Sequence, residues 1–159
     1  MIFVTLGSQK FQFDRLLKAV DQLAENGEKD EIFAQTGHST YQPKHYRYKA
    51  FLDRNEFADM MDKADIVITH GGTGAIIGAI KKGKKVIAVP RLSQYGEHVD
   101  DHQLQITEQF HEMELICECR DCDDLPKQLE KIRSMEFARY KSNTDQIISS
   151  IEKFIQEEV

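Results

Sequence analysis

The run Thr69-His70-Gly71-Gly72-Thr73-Gly74 has the residue types and spacing to hold an anion. It follows an apolar stretch, Asp65 to Thr69, and precedes a stretch of helical periodicity, so it predicts a turn that leaves a strand and opens a helix. Glycines in such a turn let backbone amides approach a ligand closely, and a helix N-terminus favours negative charge, a diphosphate for example. His70 beside them can donate a hydrogen bond to a phosphate or sugar oxygen, and among the side chains it is the one candidate for acid-base work. Glycine-rich turns also occur with no ligand, serving only to reverse the chain.

Leu6-Gly7-Ser8-Gln9 stands in the equivalent place after the first apolar run, so two glycine-bearing loops are expected to form two lips of one cleft. A third segment, Pro90 through Gln103, is dense in hydrogen-bonding side chains: Arg91, Glu97, His98, Asp100, Asp101, His102 and Gln103. It follows a buried run and enters a helix, so it can read sugar hydroxyls, while Asp100 and Asp101 suit that helix's first turn. His98, Asp101 and His102 share a helix face at i, i+3 and i+4, but solvated caps are commoner than metal sites in such a pattern, and no metal is assigned. Cys117, Cys119 and Cys122 match no common zinc spacing and read as inert thiols.

These segments need a scaffold. Strands are expected at Met1 to Leu6, Glu31 to Gln35, Tyr46 to Phe51, Asp65 to Thr69, Lys85 to Val89 and Leu115 to Glu118. Helices are expected from Phe13 to Leu23, Asn55 to Lys63, within Gly71 to Gly83, and over Val99 to Phe110, Asp123 to Arg133 and Asn143 to Ile155. Apolar strands interleaved with amphipathic helices predict an α/β fold, a single doubly wound, Rossmann-like domain with a parallel sheet spanning residues 1–159. Ligands of such sheets bind outside the C-terminal ends of the strands, where the loops above lie. The segment Tyr41 to Lys49 mixes Tyr41, Tyr46 and Tyr48 with Lys44, His45, Arg47 and Lys49, a composition that suits a membrane surface or a partner as well as an ordinary exposed strand.

Composition narrows the function. With 159 residues, 40% apolar and 30% charged, the chain reads as one soluble globular domain. A formal net charge of −6 argues against a dedicated nucleic-acid binder. The first residues lack the basic start and long apolar run of a signal peptide, and no run approaches the ~20 apolar residues of a membrane span.

Taken together, Leu6-Gly7-Ser8-Gln9, Gln35-Thr36-Gly37, His70-Gly71-Gly72-Thr73-Gly74 and Val89-Pro90-Arg91 through Glu97-His98-Val99-Asp100-Asp101-His102-Gln103 resemble the C-terminal, family 28-like domain of GT-B glycosyltransferases related to the peptidoglycan lipid-linked N-acetylglucosaminyltransferase. Within that family the chain looks most like the soluble subunits of split bacterial exopolysaccharide and capsule glycosyltransferases. Those are similar in turn to the soluble subunit of the eukaryotic dolichol-linked N-acetylglucosaminyltransferase.

The resemblance implies a UDP-sugar donor carrying galactose, glucuronic acid or N-acetylglucosamine, bound without an obligatory metal or other cofactor. It places the diphosphate at the helix after His70, gives Asp101 and Gln103 the sugar hydroxyls, and turns Gly7 to Gln9 toward an interdomain cleft. It also implies a membrane-anchored partner subunit that binds a lipid-linked saccharide acceptor and supplies the general base, and hence a cytoplasmic chain held at the inner face of the membrane. Where the family commonly carries an acidic residue for the ribose, this chain has Gly78. Two alternatives remain: a non-catalytic enhancer subunit of such a transferase, and a dinucleotide-dependent oxidoreductase reading Gly72, Gly74 and Gly78 as its fingerprint. Against the latter, the motif does not follow the first strand, and no acidic residue ends the next one.

Overall fold

The computed structural model of the chain describes residues 1–138, so the helix expected over Asn143 to Ile155 lies outside the described residues. The strands are β1 (Ile2–Thr5), β2 (Ile32–Gln35), β3 (Arg47–Lys49), β4 (Ile66–His70), β5 (Lys85–Val89) and β6 (Cys117–Glu118). The helices are α1 (Asp14–Glu25), α2 (Arg54–Lys63), α3 (Thr73–Lys81), α4 (His102–Glu112) and α5 (Leu125–Ser134), one after each strand except β2, which leads directly to β3. All pairings are parallel and the order is β3-β2-β1-β4-β5-β6.

Because strand side chains alternate, neighbouring residues of β1 feed two cores. Ile2 and Val4 pack with Leu16, Leu17 and Val20 of α1 and Leu129 and Ile132 of α5. Phe3 packs on the other face with Met61 of α2, Ile76 and Ala79 of α3, and Ile106 and Phe110 of α4. The sheet is thus buried on both faces, as its near-continuous Val and Ile runs require, and each fully buried Ile or Leu is worth about 1.5–3 kcal/mol. The order reverses between β1 and β4, so the loops after these two strands diverge to opposite faces and leave a crevice between them.

Several boundaries differ from the sequence reading, each for a local reason. The third strand keeps only Arg47–Lys49, all exposed, because it is the sheet edge. Tyr46 turns inward instead and donates its hydroxyl to the Leu17 carbonyl at 3.0 Å, and Tyr41 donates to Asp21 at 2.6 Å. Asp21 also accepts the backbone N–H groups of Lys44 and His45, so the irregular stretch before β3 is pinned to α1, with both of its tyrosines engaged there. Tyr48 remains exposed.

The helix expected from Val99 starts only at His102. Upstream, Ser93–Tyr95 form a single 3-10 turn closed by Gly96, whose φ of 68° is the left-handed conformation that glycine adopts without strain. Asp100 does serve the start of α4, accepting the His102 N–H at 2.9 Å, whereas Asp101 turns back to Ser93. The last described helix likewise begins at Leu125, after a 3-10 turn over Cys122–Asp124, with a proline in its first turn where no N–H is needed.

Candidate functional site

The loops after β1, β4 and β5 meet at the C-terminal end of the sheet, and His70 is the point where they touch. The last residue of β4, it is 5% exposed. Its ring lies against two glycines: a Cβ added at Gly7, or one added at Gly72, would stand 2.6 Å from His70 Nε2. Gly7 needs its glycine twice over, since its φ is 72°. Gly71 is equally confined from the other side, where an added Cβ would meet Gln103 Cβ at 2.8 Å.

α3 starts immediately beyond. Gly72 is its N-cap and provides no side-chain cap, and no acidic residue lies in the first turn, so the positive end of the helix is left uncompensated. Thr73 is half-buried and Gly74 exposed at this opening, and Ser8 and Gln9 are exposed on the facing lip. The sequence-predicted lips, Gly7 to Gln9 and His70 to Gly74, are therefore brought together.

The third segment behaves differently. Arg91 is 1% exposed, and the two terminal nitrogens of its guanidinium donate inside the protein while its buried Nε has no partner among the described residues. Nη2 donates to the Leu6 carbonyl at 2.6 Å, and Nη1 to the carbonyls of Phe11, Gln12 and Glu97 at 3.1–3.2 Å. Its Cζ stands over the Phe13 ring at 5.0 Å. Burial pulls its pKa down to about 10, with Glu97 opposing, so it stays charged at neutral pH. Glu97 is fully buried and takes a two-pronged contact from Arg15, Nε and Nη2 each at 3.0 Å, as well as the Leu92 N–H. Both residues, expected to touch ligand, instead tie the β5 loop to the β1 loop and α1. An ion pair and a cation among carbonyls hold the cleft's shape.

Asp101 and Gln103, the pair expected at sugar hydroxyls, also separate. Asp101 is exposed and accepts the Ser93 N–H and Oγ at 2.8 and 3.0 Å, so meeting a ligand requires it to exchange partners. Gln103 is 3% exposed, its Oε1 accepting the N–H groups of Gly71 and Arg91 and its Nε2 standing 3.1 Å from His70 Nδ1. It braces the glycine loop rather than facing solvent.

His98 is half-buried, beside the Phe11 ring and 3.2 Å from Asp100. Arg15 and Gln12, which donates to the Tyr95 carbonyl, carry no signal in the sequence because their partners Glu97 and Tyr95 lie more than 80 positions away.

Burial first, then the charge of Arg91, pulls the His70 imidazole down to about 3. The site therefore offers a neutral imidazole, backbone amides and a helix N-terminus, a set suited to binding oxygen anions. Gly78 is exposed on α3, and nothing lies within 4 Å of where its Cβ would be. Among the described residues no three His, Cys, Asp or Glu side chains are grouped as ligands for one metal ion. The three cysteines are buried free thiols, burial first pushing Cys119 up to about 12 and Cys122 up to about 11. A hollow of about 390 Å³ at the opposite end of the strands, lined by Asp30, Asp65, Lys85 and Arg133, has its charges already engaged: Arg133 with Glu28 and Asp30, Asp65 with the N-terminus.

No helix among the described residues is long and apolar enough to cross a membrane. The chain is 29% identical over 130 residues to the mouse protein "UDP-N-acetylglucosamine transferase subunit ALG13", an alignment covering 74% of this chain and 11% of that one. A 64-residue stretch is 34% identical to the Candida glabrata subunit of the same name, covering 40% and 30% of the two chains. The chain thus spans only about a tenth of the length of its mammalian relatives.

In fold, it superposes on the NMR solution structure of ALG13 with a TM-score of 0.61 at 18% identity, covering 97% of this chain and 94% of that one. It superposes on the calicheamicin glycosyltransferase CalG4 with a TM-score of 0.61 at 17% identity, covering 98% and 38%. For MurG of Acinetobacter baumannii the TM-score is 0.55 at 17% identity, covering 94% and 49%. The sheet order, the glycine loops at its switch point and a match across residues 1–158 agree: the chain belongs to the glycosyltransferase family 28 C-terminal domain family.

Proposed function

We propose that the chain is the donor-binding subunit of a two-component glycosyltransferase that moves a hexose from a UDP-sugar to a lipid-linked saccharide in surface polysaccharide synthesis. The observation that carries this reading is the convergence of Gly7, His70 and Gly72 on the uncapped N-terminus of α3 at the switch point of the sheet. A diphosphate fits there because amide N–H groups and a helix dipole meet it without needing a side-chain cation or an obligatory metal. Family membership supports a glycosyl donor, and the relatives' printed name makes UDP-N-acetylglucosamine the first donor to try, ahead of UDP-galactose and UDP-glucuronic acid.

In this reading the sugar ring extends past His70 toward the loop of His98 to Asp101, where Asp101 releases Ser93 to accept a hydroxyl. The acceptor site and the general base belong to a membrane-anchored partner, which holds this chain at the cytoplasmic face. His70, buried and neutral, serves the donor.

Because only a ligand of the native state raises stability, UDP at 100 times its dissociation constant should stabilise the chain by about 2.7 kcal/mol, while NAD at equal concentration leaves its melting temperature unchanged. Stabilisation by NAD and none by UDP would favour the oxidoreductase alternative and overturn this reading.

A further inference from the structure

Gln103 makes three contacts whose polarity can be assigned without seeing a hydrogen. Its Oε1 lies 2.9 Å from the backbone nitrogen of Gly71 and 3.1 Å from that of Arg91. Both are N–H donors, so the atom facing them must be the amide oxygen; the flipped amide would set N–H against N–H twice. The Gln103 Nε2 is then a donor, and its neighbour at 3.1 Å, His70 Nδ1, must accept. A neutral imidazole with an accepting Nδ1 carries its proton on Nε2. That nitrogen faces the gap between Gly7 and Gly72, and no acceptor engages it among the described residues.

We infer that Gln103 is a positioning residue that locks His70 in the Nε2–H tautomer, making the imidazole a dedicated hydrogen-bond donor to a ligand oxygen lodged between Gly7 and Gly72. The identity of that oxygen, a phosphate oxygen of the donor, rests on the function proposed above; the tautomer does not. The chain couples the two through geometry. Gln103 sits in the first turn of α4 and bonds both the glycine loop and the first residue beyond Pro90, so one side chain sets the loop, the β5 exit and the imidazole together. The same lock denies His70 a role as general base: Nδ1 is occupied, and Nε2 already holds its proton.

Gln103→Glu tests this with almost no change of shape. One carboxylate oxygen still accepts from Gly71 and Arg91, but the other now presents an acceptor to Nδ1, so the imidazole proton moves to Nδ1 and Nε2 turns a lone pair on the ligand. In a long-range proton–nitrogen NMR spectrum of histidine-labelled protein, wild-type His70 should show a bare Nδ1 and a protonated Nε2 from about pH 5.5 to 8. Gln103→Glu should show the reverse at pH 8. UDP affinity of the variant should fall about tenfold or more at pH 8 and recover as the pH is lowered, because one proton added to the carboxylate–imidazole pair returns a proton to Nε2. The other charged or titratable groups acting on His70 are Arg91 and His98, and the wild-type titration carries their contribution.

A protonated Nδ1 in the wild type, an unchanged tautomer in Gln103→Glu, or a reversed tautomer with undiminished UDP affinity would each overturn the inference. A wild-type chain with the expected spectrum but no affinity for UDP would overturn the donor reading and leave the tautomer standing. If Gln103→Glu does not fold, the wild-type spectrum decides the tautomer. His70→Gln, which carries a donor of similar reach, should then bind UDP about tenfold tighter than His70→Met, and equal affinities would sink the donor role.

Discussion

Gly72→Ala should lower affinity for a UDP-sugar by about two orders of magnitude, roughly 3 kcal/mol, and cost about 1–3 kcal/mol of stability through overpacking. The backbone itself permits the change, since Gly72 has an ordinary φ of −77°. The obstacle is the neighbour: the new methyl would stand 2.6 Å from His70 Nε2 and nearer still to Cε1. The ring has no room to retreat, because Gly7 closes its far side and Gln103 holds its Nδ1 edge. Either the ring or the glycine loop must move, and both line the place where the diphosphate is proposed to sit. Gly78→Ala is the control, for no atom lies within 4 Å of its added Cβ. Gly78→Ala should raise stability by about 0.5–1 kcal/mol, as expected for a glycine inside a helix. Equilibrium urea unfolding with isothermal titration of UDP separates the two effects; a Gly72→Ala chain that binds like wild type would remove His70 from the site.

Arg91→Ala should destabilise the chain by about 3–5 kcal/mol, a large part of the ~5–15 kcal/mol total of an ordinary domain. The substitution strips the carbonyls of Leu6, Phe11, Gln12 and Glu97 of one shared donor and empties the space against Phe13. It also removes a positive charge close to the fully buried Glu97, leaving Arg15 as its remaining cationic partner. Arg91→Lys should recover only part of the loss, since an ammonium cannot reproduce a planar fork reaching four carbonyls. Urea unfolding checks both variants. A stable Arg91→Ala chain that had lost UDP affinity would restore the role the sequence proposed, direct contact with the ligand.

That reversal of Arg91 and Glu97 shows where reading residues in order stops working. A charged side chain in a polar loop beside glycines reads as a ligand contact because nothing in the chain reports that Phe13, Leu6 and Arg15, all some 75 or more positions away, close over it. The strands were legible for the opposite reason: Ile66 to Thr69 and Val86 to Val89 are buried on both faces, and their apolar runs carry that burial in the sequence itself. The glycine loops were legible because a strand end, a glycine and a helix start are all local. Between Val99 and Asp101 local signals misled, since two aspartates ahead of a periodic stretch fit a helix start at several positions, and the left-handed Gly96 and the Ser93–Asp101 contact hold that stretch out of α4. Tyr41 and Tyr46 likewise looked available to a membrane until Asp21 and the Leu17 carbonyl took their hydroxyls.

The central claim is that the crevice between the β1 and β4 loops receives a nucleoside diphosphate sugar. Titrating nitrogen-labelled chain with UDP-N-acetylglucosamine and following every backbone amide tests it most directly. The largest shifts should fall on Gly7, Ser8, Gly72, Thr73 and Gly74, with smaller ones at His98 to Asp101 and none around Lys85 and Arg133 at the far end of the sheet. Saturable shifts confined to that far end, or none anywhere at millimolar UDP, UDP-N-acetylglucosamine, UDP-galactose and UDP-glucuronic acid, would contradict it.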